Sequence, residues 1–571
     1  MTSIGEMIID RLIAAGVKRV FGVPGDSLNG ITDIIRQKKE IEWVGVRHEE
    51  TAAFAAGAEA HLTGSLAVCA GSCGPGNLHL INGLYDCFRS RVPVLAIAAQ
   101  IPSEQVGTSY FQETHPQKIF SSCTAYCQEI SHPEQMPHVL EIAIQTALSL
   151  RTVSMIVISG DIVFQKAPAA KPRRGLRVMA PTICPSDADL EKAAESLNRA
   201  ERVAILGGAG CVSAHAELMR VADKLKAPIV HTLRGKEYLE YDNPFDVGMT
   251  GLIGFSSGYH ALMDCDTLLI LGADFPYRQF LPEGAEVIQI DIRAENIGRR
   301  CHVDIGLAGD IKETLAKLEP KLDIKKDDRF LKAARNHYQK ARAELDDLAK
   351  PGHQPIHPQY VAKLISDLAP ADAIFTCDVG TPVIWAARYL KMNGKRRLLG
   401  SFSHGSMANA IPQAIGAKKT YPERAVITLS GDGGLSMLMG ELLTLRQTKT
   451  PIKIVVFNNG VYGFVALEMK AIGILEFATD LVNPNFAKVA EAMEIMGIRV
   501  EDPKDLPGAL KKAFEHDGPA LVDVVINQQE LSMPPKVEIK QAIGFNLWML
   551  RAVMNGRGNE LVQLVKTNLF R

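Results

Sequence analysis

The sequence predicts an α/β protein of three doubly wound parallel-sheet domains followed by an amphipathic helical C-terminal segment. Short runs of Val, Ile, Leu and Ala recur along the chain without polar interruption, as parallel strands buried on both faces require. Amphipathic stretches of helical period separate them, the alternation that builds doubly wound sheets. The length, 571 residues, exceeds what one hydrophobic core supports.

The first strands are predicted at 41–46 (IEWVGV), 65–71, 92–99 and 154–161. The opening MTSIGEMIIDRLIAAGVKRV has acidic residues within its apolar period and reads as an amphipathic helix, not a signal peptide. The Pro- and Arg-rich stretch 165–181 reads as a linker. Strands at 202–210, 227–233, 267–274 and 286–292 follow, then a charged helix from about Asp323 to Lys350. The last strands are predicted at 373–380, 425–434, 452–459 and 520–527. Domains are therefore expected at 1–181, 182–333 and 334–529, with a strandless segment at 530–571.

Lys and Arg number 63 against 64 Asp and Glu, so no nucleic-acid partner is expected. No apolar run reaches the roughly 18 residues that span a bilayer. The ten cysteines show no complete zinc-site spacing and read as free thiols of a reducing cytoplasm.

The most informative segment is LSGDGG, with a later NNG. An apolar run ends at Gly431-Asp432-Gly433-Gly434, and the next ends at Asn458-Asn459-Gly460. Strand, helix and return strand fit the interval, bringing Asp432 and Asn459 to one carboxyl edge, where open α/β sheets bind ligands. A carboxylate and an amide oxygen are hard ligands suited to Mg²⁺. The glycines let backbone N–H groups approach a diphosphate. Either motif alone would be an ordinary turn; both at strand ends favour a cofactor.

In VRHEETAAFAAGAEA, Glu49 opens a helix of small residues that would let a flat ring come close. A carboxyl in apolar surroundings there would hold its proton more tightly; a carboxylate favoured by the helix dipole is the alternative. ILGGAG (205–210) has Ser213 where the dinucleotide fingerprint G-x-G-x-x-G has its last glycine, a weak signal. Asp291, closing an apolar run, suits a ribose or adenine contact, with Gly309 and Asp310 near the same edge. At 560–570, Leu561, Val562, Leu564, Val565, Leu569 and Phe570 fall on or near one helical face, which could lie on a lipid interface or on the protein.

With GDGG, NNG and the HE-x-x-A-A-x-A-A pattern from His48, the chain resembles the thiamine diphosphate enzymes of the pyruvate decarboxylase, acetolactate synthase and pyruvate oxidase group. The resemblance implies Mg²⁺ held by the side chains of Asp432 and Asn459 and the carbonyl of Val461. It implies thiamine diphosphate contacts from Gly405, Ser406, Met407, Asp432, Gly433 and Gly434, and from Asn459, Gly460, Val461, Tyr462, Gly463, Phe464 and Val465. Glu49 would activate the aminopyrimidine, Met407 would bend the cofactor from beneath, and Phe464 would lie near the thiamine ring. Phe111 and Gln112, from FQETHP, would line the substrate pocket.

The similarity is strongest to the flavin-dependent pyruvate oxidases, particularly the bacterial pyruvate:quinone oxidoreductases (pyruvate dehydrogenase (quinone)), on residues 233–258 and LGADFPYR. It implies an FAD site of Thr250, Gly251, Leu252, Ile253, Ala273, Asp274, Phe275, Pro276, Tyr277 and Asp291. The implied activity is oxidative decarboxylation of pyruvate to acetate and CO2, electrons passing through FAD to a membrane quinone (ubiquinone). The implied setting is a lipid-activated peripheral protein on the cytoplasmic face of the inner membrane, with phospholipid bound by the C-terminal segment. A dimer is the implied minimum, because Glu49 and the diphosphate site would meet across subunits, and a homotetramer is expected. The alternatives are an acetolactate synthase with non-redox FAD, whose usual tryptophan is missing from FVALEMK, and a soluble oxygen-dependent oxidase. Residues 471–483 depart from the resembled enzymes and leave substrate preference open.

Overall fold

A computed structural model describes residues 2–168, 181–530 and 539–555, together with 557, 559, 561, 562, 564 and 568. Most of the predicted linker at 165–181, and Val565, Leu569 and Phe570 of the predicted terminal helix, lie outside the described residues.

Three six-stranded, all-parallel sheets carry the fold. The first contains β1 (Arg19–Gly22), β2 (Glu42–Gly45), β3 (Ala67–Gly71), β4 (Val94–Gln100), β5 (Tyr126–Ile130) and β6 (Val153–Ser159). The second contains β7 (Val203–Gly207), β8 (Ile229–His231), β9 (Asp246–Met249), β10 (Thr267–Leu271), β11 (Glu286–Asp291) and β12 (Ile305–Ala308). The third contains β13 (Ile374–Cys377), β14 (Arg397–Gly400), β15 (Val426–Gly431), β16 (Ile452–Asn458), β17 (Met496–Val500) and β18 (Ala520–Val525).

The first and third sheets share one topology, β2-β1-β3-β4-β6-β5 against β14-β13-β15-β16-β18-β17. The chain thus contains a structural duplication that no close sequence repeat announces. The middle sheet, β12-β11-β10-β7-β8-β9, has the dinucleotide-binding order.

Every predicted strand is present. Those not predicted are β1 and the edge strands β5, β9, β12, β14 and β17. Edge strands bury less of their surface, so their residues alternate or mix polar character; β17 and β12 are mostly half-exposed. The charged helix expected from 323 to 350 runs Arg329–Leu348.

The helix Glu49–Thr63 is buried almost all round and packs between the helices Ala410–Thr420 and Ile81–Ser90. Its small residues serve this close packing between helices. A Cβ on Gly416 would sit 2.1 Å from the Ala55 carbonyl oxygen, and one on Gly57 would sit 2.7 Å from Cys87 Sγ. The first and third domains therefore meet backbone against backbone. Gly416→Ala is expected to destabilise the protein by about 1–3 kcal/mol through overpacking. Gly440→Ala, into open space, should change stability by no more than about 0.5 kcal/mol. Thermal melts of the two variants check this.

Candidate active site

The strand order of the third sheet reverses between β13 and β15, and two carboxylates sit at that point. Asp378 follows β13 and Asp432 follows β15, while Asn459 follows the neighbouring β16. Parallel register pairs Gly431 with Phe457, so the GDGG turn and the NNG turn leave the sheet side by side. Asp432 is 3 % exposed. Its Oδ2 accepts N–H from Gly460 at 2.7 Å and from Asn483 Nδ2 at 2.7 Å, and its Oδ1 accepts the Gly433 N–H at 2.9 Å. Burial raises its pKa against these donors. Burial likewise pushes Asp378 up to about 6, against the N–H of Ala410 and its other donors.

Among the described residues no basic side chain forms an ion pair with Asp432 or Asp378. Two buried carboxylates without a cationic partner are costly unless a cation joins them. The oxygen-rich donor set suits magnesium. The glycines are required: a Cβ on Gly434 would meet Asp378 Oδ2 at 2.5 Å, and one on Gly433 would meet Tyr462 at 2.7 Å. Asn459 Oδ1 accepts the Val461 N–H at 3.2 Å. A strap clamps the 459–463 turn, with Leu481 N–H donating to Gly460 O and Tyr462 N–H to Thr479 O, both 2.8 Å.

Ser401–Asn409 connects β14 to the helix Ala410–Thr420. Gly405 (φ 88°) and Ala408 (φ 64°) are both left-handed there, which turns the backbone sharply around Ser406 and half-buried Met407. The first domain supports this loop. Asn82 Nδ2 donates to Ser406 Oγ at 2.9 Å and to Glu50 Oε1 at 2.7 Å, and Tyr85 stacks on His404 at 5.7 Å. One turn further on, Asp86 accepts from Ser401.

Glu49 lies at the edge of the first sheet, 7 % exposed. Its surroundings are more polar than expected: His79 Nδ1 lies 2.9 Å from Oε2. Oε1 faces Gly76, where a Cβ would approach to 3.0 Å. His48, Glu49 and His79 cluster, but the imidazoles stack at 4.3 Å and 24°, so their in-plane lone pairs do not converge on one ion. Gln112 (φ 65°) packs on Gly74 and accepts from Cys73 Sγ at 3.3 Å, on the same edge. Phe111 points away into solvent, 78 % exposed. Glu441 of the third domain accepts the N–H groups of Arg47 (3.1 Å) and His48 (3.0 Å), tying the two edges together. Among the described contacts none joins Glu49 to Asp432 or Met407.

Phe464 is half-buried against the third-domain core, and Val465 is exposed. Near Phe464 an open cleft of about 390 Å³ is lined by Thr381, Asn459, Gly463, Lys470 and Gln529, among others. The helix Ile539–Met554 rests on Gly463–Ala471. Trp548 is fully buried and donates to Glu476 at 2.9 Å, and Lys470 pairs with Glu476 at 2.8 Å. Leu564 joins the Trp548 cluster and Val562 is exposed.

In the middle domain the glycine-rich turn serves packing. The N–H groups of Gly208 and Gly210 donate to Leu271 O and Gly272 O, and a Cβ on Gly208 would lie 2.3 Å from Gly272 O. Those N–H groups are occupied and cannot cradle a phosphate. The other predicted residues converge at the ends of β9, β10 and β11. Gly251 (φ 100°) packs on Phe275 and Tyr277. Thr250 Oγ1 is buried without a partner. Asp291 is buried and accepts from Arg293 N–H at 2.9 Å and Asn296 Nδ2 at 3.2 Å. Arg91 of the first domain lies 3.5 Å from Asp274, and Arg388 of the third holds the carbonyls of Ile253 and Gly254.

Asp378, Asn483, Glu441, Asn82 and Arg388 were not singled out from the sequence. Asn82 and Asp86, four apart on one helix, carried a weak signal as polar residues sharing a face.

Comparison with known proteins agrees with this layout. Models of the thiamine pyrophosphate enzyme match the chain: the N-terminal TPP binding domain at residues 2–119, the central domain at 190–318 and the C-terminal TPP binding domain at 378–524. An uncharacterized 42.6 kDa protein of Pseudomonas amyloderamosa is 57% identical over 349 residues, 61% of this chain and 88% of the relative. The putative thiamine pyrophosphate-containing protein YdaP of Bacillus subtilis is 36% identical over 564 residues, 99% of this chain and 98% of the relative. The pyruvate oxidase of Lactiplantibacillus plantarum is 32% identical over 532 residues, 91% of this chain and 88% of the relative. Acetolactate synthases also match, at modest identity. Three domain models in order, two of them meeting the carboxyl edges described above, leave one assignment: the chain belongs to the thiamine pyrophosphate enzyme family.

Proposed function

We propose that this protein is a thiamine diphosphate-, Mg²⁺- and FAD-dependent enzyme that oxidatively decarboxylates pyruvate to acetate and CO2 and passes the electrons to a membrane quinone. The observation that carries the cofactor reading is buried Asp432, without a cationic partner, beside Asn459 at the strand-order switch. Asp432, Asn459 and the Val461 carbonyl would hold the ion, and Gly433 and Gly434 would admit the diphosphate.

When bound, thiamine diphosphate supplies a C2 carbanion and an electron sink for decarboxylating a 2-oxo acid. The protein's part is positioning and proton control. Glu49 would hold a proton at the aminopyrimidine, and Met407 would support the ring from the Ser401–Asn409 loop. Because no described contact within one chain joins Glu49 to Asp432 or Met407, the reading places the complete site between two copies of the chain. FAD would supply the electron acceptor; partnerless Thr250 Oγ1 and buried Asp291, beside Arg91 and Arg293, fit a dinucleotide. The pyruvate oxidase relative supports pyruvate as substrate. The acetolactate synthase relatives support a second reading, condensation without flavin redox.

Among the described residues no helix is long and apolar enough to cross a membrane. The lipid reading rests instead on Ile539–Met554, whose outer face exposes Ile543, Leu547, Leu550 and Met554 at helical spacing while Trp548 and Ala552 are buried. This stripe lies before the segment singled out in the sequence.

Asp432→Ala is expected to weaken thiamine diphosphate and Mg²⁺ binding by about 10-fold or more, an order typical of losing a charged ligand contact. Equilibrium titration checks this. Because ligation needs the carboxylate and burial raises its pKa, wild-type Mg²⁺ affinity should fall on acidification at a higher pH than an ordinary aspartate gives.

Anaerobic pyruvate should bleach the flavin and yield acetate. Acetolactate without bleaching would establish the second reading instead. Removing the residues after Gln529 should abolish stimulation by phospholipid vesicles and raise basal turnover; unchanged stimulation would reject the lipid role.

A further inference from the structure

The loop bearing Ser406 and Met407 is fastened to the first domain by a directional relay of hydrogen bonds. Ser401 Oγ donates its only proton to Asp86 Oδ1 at 2.8 Å, and Gln413 Nε2 donates to Oδ2 at 3.3 Å. Having given that proton, Ser401 Oγ can only accept, and it accepts the Ser406 N–H at 3.0 Å. The Ser401 carbonyl accepts the Gly405 N–H at 2.6 Å. Asp86 is 3 % exposed, and Ser401 is fully buried. One turn earlier on the same helix, Asn82 fixes the Ser406 hydroxyl, which in turn donates to Met407 O at 2.8 Å. Every polar group that aims the Ser406–Met407 backbone thus traces to one face of Ile81–Ser90 or to Ser401.

We propose that Asp86 is a positioning residue: through Ser401 it sets the Ser406–Met407 backbone against the aminopyrimidine of bound thiamine diphosphate. This rests on the cofactor reading above.

The electrostatics support a functional reason for the charge. Burial pushes Asp86 up to about 6, with the Ser401 hydroxyl, Arg234 and Gln413 pulling the other way. A carboxyl with a raised folded pKa binds protons more tightly folded than unfolded. Its stability contribution therefore falls as pH rises from about 4 to about 6 and stays unfavourable at neutral pH. The fold would be better served there by a neutral side chain. The groups facing the carboxyl across the three-domain cleft of about 430 Å³ are Arg234 and Glu237 from the middle domain and His61 from the first. Arg234 donates to Ser403 Oγ and Ser90 O, and Glu237 is engaged by His61 and Arg397. The negative charge on Asp86 keeps Ser401 oriented as a donor; once Asp86 is protonated, its own O–H competes for that geometry and the Ser406 N–H loses its fixed acceptor.

The test is exchange of the cofactor C2 proton for deuterium, followed by NMR in enzyme reconstituted with thiamine diphosphate and Mg²⁺. Asp86→Ala and Ser401→Ala should each slow exchange by about tenfold or more while the thiamine diphosphate dissociation constant changes by less than about threefold, because the anchor at Asp432 is intact. The double variant should be no slower than either single one, as for residues acting in one relay. Asp86→Asn, neutral at every pH, should exchange at about the rate wild type shows below pH 6 and lose the acid limb near pH 6 seen in wild type. Wild-type exchange in Ser401→Ala, or additive losses in the double variant, overturns the proposal, and Ser401→Ala decides it if Asp86→Ala fails to fold. Failure of the wild-type protein to bind thiamine diphosphate would overturn the cofactor reading itself, a separate outcome.

Discussion

A carboxylate taken out of water with no basic side chain beside it among the described residues constrains everything around the third sheet. Asp432 is held by two backbone N–H groups and one amide, and these neutral donors offset part of the burial cost without neutralising the charge. The GDGG turn, the NNG turn and the strap at 479–483 are the scaffold that holds this charge in place. Asp378, at the next strand end, adds a second buried oxygen pair behind Gly434. A side chain at 433 or 434 would close the space.

The repeated topology of the first and third sheets gives the site its logic. Equivalent edges of two related sheets carry different chemistry, a carboxyl group beside an imidazole on one and buried carboxylate oxygens on the other. The edges are locked together by short contacts: Gly416 on Ala55, the buried Glu441 carboxylate on the backbone of Arg47 and His48, and Asn82 on Ser406. The middle domain is joined at a different place, where Arg234 and Glu237 reach both neighbours. Such fixed geometry suits a cofactor enzyme, in which the protein contributes orientation more than reactive groups.

What could be read from the sequence follows from what is local. Central strands announce themselves as unbroken apolar runs, and the edge strands β5, β12 and β17 do not, because they are half wet. Asp432 and Asn459 were legible because each sits next to glycine at the end of such a run. Asn483 was not: it lies on a loop with no pattern and matters only because folding brings it to Asp432. Glu441 and Asp86 were hidden for the same reason, as helix residues whose partners are hundreds of positions away. The small residues of Glu49–Thr63 were visible, but their helix packing was not, since helix packing and ligand access both select alanine and glycine. ILGGAG was misleading for a related reason: its glycines meet the β10 turn.

Crystals of the protein grown with thiamine diphosphate and Mn²⁺ in place of Mg²⁺ would report most directly on the coordination centre. An anomalous peak about 2.0–2.3 Å from oxygens of both Asp432 and Asn459, shared with the diphosphate, is the expected result. A diphosphate bound elsewhere, or manganese that leaves Asp432 unligated, would contradict it.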